Sequence, residues 1–195
     1  MARQYNSSRR LEAAAQTRRD ILQAALRLHA EGVTEFEPLA REAGCSVATV
    51  RKHFPTKETL FQNCTRAFAE TLVLPDLAAL GAIPDPERRV AESIAELCRI
   101  HEAMFGYAWL GALQRGDSPT LDREMAAYEG LADAVSEIVT PPGSTRAALV
   151  RGLLDFLTYR ALRRSGRLSE QEAAAELAAA IYTLTHSEAG NPPAP

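Results

Sequence analysis

Apolar residues recur at helical spacing along almost the whole chain, and helix-breaking residues interrupt them at intervals. The clearest example is a helix predicted from about Thr17 to Glu31, in which Ile21, Ala25 and Leu28 lie three and four residues apart. Few segments alternate between apolar and polar residues as strands do, and nothing repeats at a fixed period. The pattern therefore predicts an all-α protein.

Capping residues mark where the other helices begin. Thr34 with Glu37, and Ser169 with Glu172, have the form of a capping box, in which each side chain accepts from the other residue's free amide. Further caps precede the helix starts at Val47, Lys57, Pro86 and Pro119. The predicted helices after the first run from the Thr34 cap to Gly44, from 47 to 54, from 56 to 74, from 86, from 119, from 145 to 164 and from 170 to 186.

Charge is unevenly distributed along the chain. Residues 1–60 hold ten Lys and Arg against seven Asp and Glu, whereas the remaining residues hold twelve against eighteen. This asymmetry favours a phosphate-facing front end on an acidic body.

Two short helices meet across a tight turn in the segment LAREAGCSVATVRKHFPTKETL, from Leu39 to Leu60. A rotation of about 100° per residue turns Val47, Val50 and Phe54 of the second helix towards the preceding helices. Its opposite side suits a DNA major groove, where Lys and Arg donate to guanine and Thr or Ala contacts a thymine methyl. The candidate DNA-binding residues there are Ala48, Thr49, Arg51, Lys52 and His53.

Three more candidates, Thr34, Ser46 and Lys57, lie at predicted helix N-termini, where free amides and positive charge attract a phosphate. The structural alternative is that Thr34 and Ser46 only cap helices. In that case Arg51, Lys52 and Lys57 would simply form a solvated face.

The stretch from Thr17 to Thr71, with TRRDILQAALRLHAEG and LAREAGCSVATVRKHFPTKETLF, resembles the N-terminal domain of tetracycline-repressor-type regulators. The resemblance implies a homodimer that binds a palindromic double-stranded DNA operator through its third helices. It implies a repressor that a small ligand releases. It also implies that Thr49, Arg51, Lys52 and His53 contact DNA and that Lys57 anchors a phosphate.

Three features depart from the family pattern. An aromatic residue usually stands at the position of His29, which we interpret as a partly buried, hydrogen-bonded histidine rather than a ligand. A tyrosine usually stands at the position of Arg51, so a longer cation replaces one backbone contact. The turn from Gly32 to Glu35 is a few residues shorter than usual, which bears on whether Thr34 reaches a phosphate.

The middle helices mix aromatic and methionine side chains with a few polar groups, as both ordinary cores and small-molecule cavities do. The resemblance favours a cavity for a largely apolar effector. Cys98 and His101 have the spacing of metal ligands, but two ligands without a companion pair predict neither a metal site nor a cofactor. The candidate effector-binding residues are Cys98, His101, Met104, Phe105, Tyr107, Trp109, Met125 and Tyr128.

The last two predicted helices carry an apolar stripe with small residues that permit close approach. Two such helices from each subunit would form a four-helix bundle between subunits. The alternative is that the stripe is the subunit's own core. The candidate dimer residues are Leu149, Gly152, Leu153, Phe156, Leu157, Leu177, Ile181 and Leu184.

The cysteines and the lack of long apolar runs indicate the cellular compartment of the protein. Cys45, Cys64 and Cys98 are odd in number and form no close pair, which favours a reducing compartment and a role in the core, with a redox-sensing thiol as the alternative. No apolar run has the length of a membrane span, and residues 1–10 lack the apolar core of a secretory signal. The sequence predicts a cytoplasmic protein without a membrane partner.

Gly116-Asp117-Ser118 resembles a nucleophile motif of some esterases, but no strand precedes it and helix capping before Pro119 explains the serine. The sequence shows no nucleophile, base and orienting acid at a recognisable spacing. It therefore predicts a regulator rather than an enzyme. The alternatives are a small helical enzyme and a protein-interaction module with an incidental helix-turn-helix fold.

These inferences combine into an all-α architecture: an N-terminal three-helix helix-turn-helix domain followed by a C-terminal helical domain for ligand binding and dimerisation. The predicted boundaries are a disordered basic arm at 1–10, the helix-turn-helix domain at 11–62, the effector-binding and dimerisation domain at 63–188 and a disordered tail at 189–195.

Overall fold

The computed structural model describes residues 2–186, and the regular structure in this range is helical, without a strand. This confirms the predicted all-α class. None of the helices in this range combines the length and the apolar character that crossing a bilayer requires. The helices are α1 Ala2–Ala30, α2 Phe36–Glu42, α3 Val47–His53, α4 Lys57–Ala69, α5 Leu77–Gly81, α6 Pro86–Ala103, α7 Phe105–Gln114, α8 Pro119–Val139, α9 Ala147–Leu153, α10 Phe156–Arg164 and α11 Glu170–His186, with a 3-10 turn at Arg115–Asp117.

The chain divides into two compact units that do not follow the order of the sequence. Among the described residues, the first unit contains 2–72 together with Gly106–Glu124, and the second contains Val73–Phe105 together with 125–186. The sequence predicts one boundary between the two folded domains, after residue 62. It contains no local signal that Gly106–Glu124 returns to the first unit, because that return depends on packing between distant residues.

The core of the first unit joins α1, α2, α3 and α4. As predicted, the inward faces of α1 and α3 are buried, including Ile21, Ala25, Val50 and Phe54. Removing a side chain of this size from water contributes about 1.5–3 kcal/mol, so these residues hold the three short helices against α1. The full set of buried residues is Ile21, Ala24, Ala25, Phe36, Leu39, Ala40, Val50, Phe54, Leu60 and Cys64.

The core of the second unit forms where α6, α8 and α11 pack together. Val90, Ile94 and Leu97 recur on one face of α6, as the helical spacing predicts, and are almost completely buried. Cys98 belongs to the same core. The partners of this face are Ala132, Val135 and Val139 of α8 and Ala173, Leu177 and Ile181 of α11.

Most predicted caps are confirmed. Ser46 accepts from the amide of Thr49 at 3.1 Å, and Thr56 accepts from the amide of Thr59 at the same distance. Asp85 likewise caps α6, with Pro86 in the first turn. The capping box of α11 forms completely, because Ser169 Oγ accepts from Glu172 N at 3.2 Å and Glu172 Oε2 accepts from Ser169 N at 2.8 Å.

The capping box predicted at Thr34 and Glu37 is wrong. The helix starts one residue later, with Glu35 as its N-cap and without a side-chain cap bond. With Glu35 at the cap, Pro38 occupies the third helical position, so no carboxylate can return to the cap amide. The carboxylate of Glu35 instead accepts from the backbone amide of Thr34 at 3.2 Å.

The first helix begins at Ala2 rather than near Thr17, so the predicted disordered arm is wrong for residues 2–10, which are helical. Extension of a helix that packing already holds needs no apolar periodicity, because each added residue gains a backbone hydrogen bond. The predicted tail at 189–195 lies outside the described residues.

Two further helix boundaries differ from the prediction. Helix α4 ends at Ala69, before the predicted end at Leu74. The single helix predicted from 145 to 164 is two helices, α9 and α10. The break forms because the carboxylate of Asp155 accepts from the amide of Leu157 at 2.9 Å and starts a new helix.

Candidate nucleic-acid interface

The helix-turn-helix is formed by α2, α3 and the turn between them. The amide of Cys45 donates to the carbonyl of Ala40 at 2.9 Å, which closes the turn after α2. Gly44 has a φ of +63°, a left-handed conformation that a glycine adopts without steric cost. Ser46 then caps α3 and sets its direction.

The outward face of α3 presents most of the residues predicted to read DNA. Ala48, Arg51 and Lys52 are exposed, while Thr49 and His53 are half-buried. The guanidinium carbon of Arg51 lies 5.0 Å from the centre of the Phe36 ring, so the charged group of this side chain packs against α2. The structure thus brings the α3 candidates together on one side of the helix.

Ser46 and Thr49 also interact with each other. Their hydroxyl oxygens lie 2.9 Å apart, in addition to the cap bond that Ser46 accepts. Ser46, one of the predicted phosphate contacts, is exposed and also caps α3.

Arg18 fixes the far end of α3 and was not identified from the sequence. Its guanidinium donates to the carbonyl of His53 at 3.0 Å and to Asn63 Oδ1 at 2.7 Å. It also lies 4.4 Å above the ring of Phe54. One signal was present in the sequence: Arg18 precedes Ile21 and Ala25 by three and seven residues, the spacing of the buried face of α1.

Lys57, the predicted phosphate anchor, begins α4 and is tied to the turn before α2. Its Nζ donates to Thr34 Oγ1 at 3.2 Å and lies 3.6 Å from a carboxylate oxygen of Glu35. About half of the Lys57 side chain is exposed, so its charge remains accessible. Thr34 is 3% exposed and its hydroxyl accepts from Lys57, and its contact with a phosphate stays a prediction.

His29 packs as an aromatic residue in the first unit. Its ring centre lies 5.3 Å from that of Phe61, so imidazole fills the place where the family carries an aromatic ring. Burial, assisted by the positive charge of Lys57, lowers the pKa of His29 to about 4. The side chain is therefore neutral near pH 7 and adds no positive charge to the first unit.

Glu58 connects α4 to the turn that precedes α8. Its carboxylate accepts from Ser118 Oγ at 2.5 Å, from Thr120 Oγ1 at 2.5 Å and from the amide of Thr120 at 3.0 Å. Ser118 also accepts from the amide of Leu121 at 3.2 Å, which confirms its predicted role as a cap. A cleft of about 310 Å³ lies beside these contacts and is lined by Lys57, Glu58, Phe61, Gln114, Asp117 and Ser118.

The predicted effector residues are divided between the two units. Tyr107 and Trp109 belong to the first unit, where the Tyr107 hydroxyl donates to the carbonyl of Leu26 at 2.7 Å and its ring packs on Phe68. The other six belong to the second unit: Cys98, His101, Met125 and Tyr128 are buried, and Met104 and Phe105 are half-buried.

His101 lies at the centre of an aromatic cluster in the second unit. Its Nδ1 accepts from the hydroxyl of Tyr128, and its Nε2 donates to the carbonyl of Leu154 at 3.1 Å, beside the break between α9 and α10. Burial lowers the pKa of His101 to about 4, so the ring is neutral near pH 7. Within residues 2–186, Cys98 and His101 are not part of a group of three or more potential metal ligands. The surrounding rings are those of Phe105, Tyr128, Phe156 and Tyr159.

The predicted dimer residues fall into two groups. Leu149 and Leu157 are 46% and 52% exposed, Gly152 is exposed, and Leu153 and Leu184 are half-buried. Phe156, Leu177 and Ile181 are buried in the protomer's own core, which corrects their assignment to an interface. Helical spacing cannot make this distinction, because a core stripe and an interface stripe have the same period.

Comparison with known proteins agrees with this geometry. Residues 21–64 match the bacterial regulatory proteins of the tetR family. A crystal structure of a transcriptional regulator from Rhodococcus sp. Rha1 is 22% identical, with 87% of this chain and 96% of that chain covered and a TM-score of 0.59. A structure assigned to the TetR family of transcriptional regulators, from Mesorhizobium loti, is 20% identical, with 88% and 96% covered and a TM-score of 0.58. No curated protein sequence matches the chain.

The two structural matches show a shared fold, and the matched segment contains the end of α1, the whole of α2 and α3, and the start of α4. Residues 21–64 therefore match the helix-turn-helix domain of the tetR family of bacterial regulatory proteins.

Proposed function

We propose that this transcriptional regulator binds a palindromic operator as a homodimer and represses transcription until a small molecule releases it. The observation that carries the DNA-binding part is the division of α3 into two faces. Val50 and Phe54 are completely buried, whereas Arg51 and Lys52 extend from the exposed side. An exposed helix of this kind enters a major groove, where Arg and Lys donate to guanine.

In a dimer, two copies of α3 would enter successive major grooves about 34 Å apart on one side of the duplex. A second copy of this chain is the proposed partner for the exposed Leu149 and Leu157, with Gly152, Leu153 and Leu184 beside them. Exposed leucines on neighbouring helices are an unfavourable surface in water and a suitable one for a self-complementary contact.

Selection of bound fragments from a random duplex library tests this proposal. Purified protein is used at about 0.15 M salt, where phosphate attraction alone is largely suppressed. Wild-type protein should enrich an inverted repeat, and Lys52→Glu should not. The control is Arg88→Glu, which makes the same change of charge at an exposed residue of α6. Enrichment that survives Lys52→Glu, or no enrichment by ligand-free wild type, would contradict the DNA-reading role.

The proposed effector site is the second-unit cluster around His101. Aromatic rings with a few polar groups among them are typical of sites for small, largely apolar molecules. His101 is bonded to Tyr128 of α8 and to the carbonyl of Leu154, which lies at the break between α9 and α10. A ligand that replaces one of these bonds would change the local arrangement of that break.

The effector proposal is tested with a panel of monocyclic aromatic compounds that differ in one hydrogen-bonding group. A compound present at 100 times its Kd should stabilise the protein by about 2.7 kcal/mol and reduce binding to the selected duplex. His101→Leu should remove both effects. Tyr182→Phe, which alters a different aromatic contact on α11, is the control. A response that persists in His101→Leu would place the effector elsewhere.

We also propose that the protein is not an enzyme and that it acts in the cytoplasm. The resemblance of Gly116-Asp117-Ser118 to an esterase motif is explained by structure, because the Ser118 hydroxyl is engaged by Glu58 and by the amide of Leu121. The alternative of a protein-interaction module predicts that Lys52→Glu leaves binding to the partner protein intact.

A further inference from the structure

The first turn of α4 is held on two sides by two consecutive residues. Lys57 reaches the turn before α2, where it meets Thr34 and Glu35. Glu58 reaches the turn before α8, where it meets Ser118 and Thr120. Consecutive residues of a helix point about 100° apart, so the two contacts restrain this turn in different directions.

The contacts of Glu58 are made to buried groups. Ser118 is 3% exposed and Thr120 is 1% exposed. Removal of the carboxylate would leave their hydroxyls and one amide without this acceptor. The carboxylate also lies at the N-terminus of α8, where a negative charge is stabilised by the helix dipole.

The ionisation of Glu58 is consistent with these bonds. The hydroxyl of Ser118, followed by that of Thr120, holds the pKa of Glu58 below its ordinary value. The contact is therefore charge-assisted at neutral pH, which makes it stronger than a bond between neutral groups.

We propose that Glu58, Ser118 and Thr120, here named the Glu58 clasp, position the first turn of α4 so that Lys57 can contact an operator phosphate. Glu58 is a positioning residue in this scheme and does not itself touch DNA. The inference rests on the proposed DNA-binding function. It adds that operator affinity depends on the turn before α8, which lies outside the helix-turn-helix segment.

The direction in which one substitution changes operator affinity distinguishes this inference from a purely electrostatic effect. Glu58 is a negative charge next to a proposed phosphate anchor, so Glu58→Ala should strengthen DNA binding if only charge matters. The clasp predicts the opposite, because without it Lys57 and the α4 amides are no longer held in place. We expect operator affinity to fall by about fivefold or more, the lower range of coupling between sites in proteins.

The experiment measures binding of the full-length protein to the duplex that wild type selects, over a series of salt concentrations. Each phosphate contact contributes about 0.9 to the magnitude of the negative slope of log K against log salt. Glu58→Ala should therefore reduce this magnitude by about the same amount as Lys57→Met. Because both variants lose the same contact in each subunit, the double variant should bind no more weakly than Lys57→Met alone.

Ser118→Ala provides a second test with a matched control. It removes one donor to Glu58 together with a cap bond of 3.2 Å to the amide of Leu121. Ser169→Ala removes a cap bond of the same length, to the amide of Glu172, far along the chain in α11. Only Ser118→Ala should weaken operator binding and reduce the salt slope, and Ser169→Ala should affect stability alone.

Circular dichroism at the binding temperature identifies any variant that is not folded. If Glu58→Ala fails to fold, Glu58→Gln and Ser118→Ala decide the question, since the amide oxygen that Glu58→Gln introduces can still accept from Thr120. The inference is overturned if folded clasp variants bind the duplex as tightly as wild type or more tightly, with an unchanged slope. If wild type selects no duplex, the proposed function fails instead. In that case the duplex selection by Lys52→Glu will not differ from that by wild type.

Discussion

Arg18, on α1, donates from its guanidinium to the carbonyl oxygen of His53, the last residue of α3, at 3.0 Å. The final carbonyls of a helix lack partners within the helix, so this bond satisfies one of them. The same guanidinium donates to Asn63 of α4 and covers the ring of Phe54. One side chain of α1 thus fixes the position of α3 relative to its neighbours.

Replacement of Arg18 should therefore affect both stability and DNA binding. Arg18→Met should lower the free energy of unfolding by about 2 kcal/mol, since bonds to a charged group contribute about 1.5–3 kcal/mol and the cation–π contact adds to them. Urea denaturation measures this loss. The control is Arg19→Met, because the neighbouring Arg19 is exposed and bonds locally, to Gln16. Equal stabilities of the two variants would contradict the structural role of Arg18.

Gly106 permits the start of α7 to lie directly against the end of α1. A Cβ atom at this position would stand 1.7 Å from the carbonyl oxygen of Ala30, a backbone atom that cannot rotate away. Gly106→Ala should destabilise the protein by about 2 kcal/mol, as overpacking does elsewhere. Gly130→Ala is the control, because a Cβ there meets nothing within 4 Å and should stabilise α8 by about 0.5–1 kcal/mol. Denaturant titration that found both changes neutral would show that α7 and α1 separate readily.

His29 should make stability depend on pH between about 6.5 and 4. Because burial lowers its pKa to about 4, the unfolded chain binds more protons than the folded one in this range. The free energy of unfolding therefore falls as the pH drops from 6.5 towards 4. His29→Phe should remove up to about 1.4 kcal/mol per pH unit of this dependence and leave stability at pH 7.5 nearly unchanged.

The matched control for His29→Phe is Phe61→Leu, which weakens the same ring contact but removes no titrating group. Thermal unfolding at several pH values should show a parallel loss of stability in Phe61→Leu. If His29→Phe also runs parallel to wild type, the folded-state pKa of His29 is not depressed.

The proposed dimer contact makes Leu157 a sensitive position. Leu157→Glu places a charge on a leucine that is 52% exposed in the protomer, so the variant should remain folded but sediment as a monomer at concentrations where wild type is a dimer. Leu11→Glu changes an even more exposed leucine on α1 and should leave sedimentation unchanged. A dimer of unaltered stability in Leu157→Glu would exclude this face as the interface.

Features that depend on a few consecutive residues could be read from the sequence. Ser46, Asp85 and Ser169 cap their helices as predicted, because each bond joins groups three residues apart. The inward faces of α1, α3 and α6 follow from helical spacing in the same way. The motif from α2 to α4 was sufficient to indicate the resemblance to the tetR family, and the exposed side of α3 was correctly separated from its buried side.

The tertiary structure decided the features whose partners are far apart in the chain. Arg18 meets His53, and Glu58 meets Ser118, across separations of 35 and 60 residues that no local pattern records. Thr34 likewise became a partner of Lys57, which lies 23 residues further along the chain. Burial of Phe156, Leu177 and Ile181 within the protomer was equally inaccessible to periodicity, since an apolar stripe shows that a face is covered but not which surface covers it.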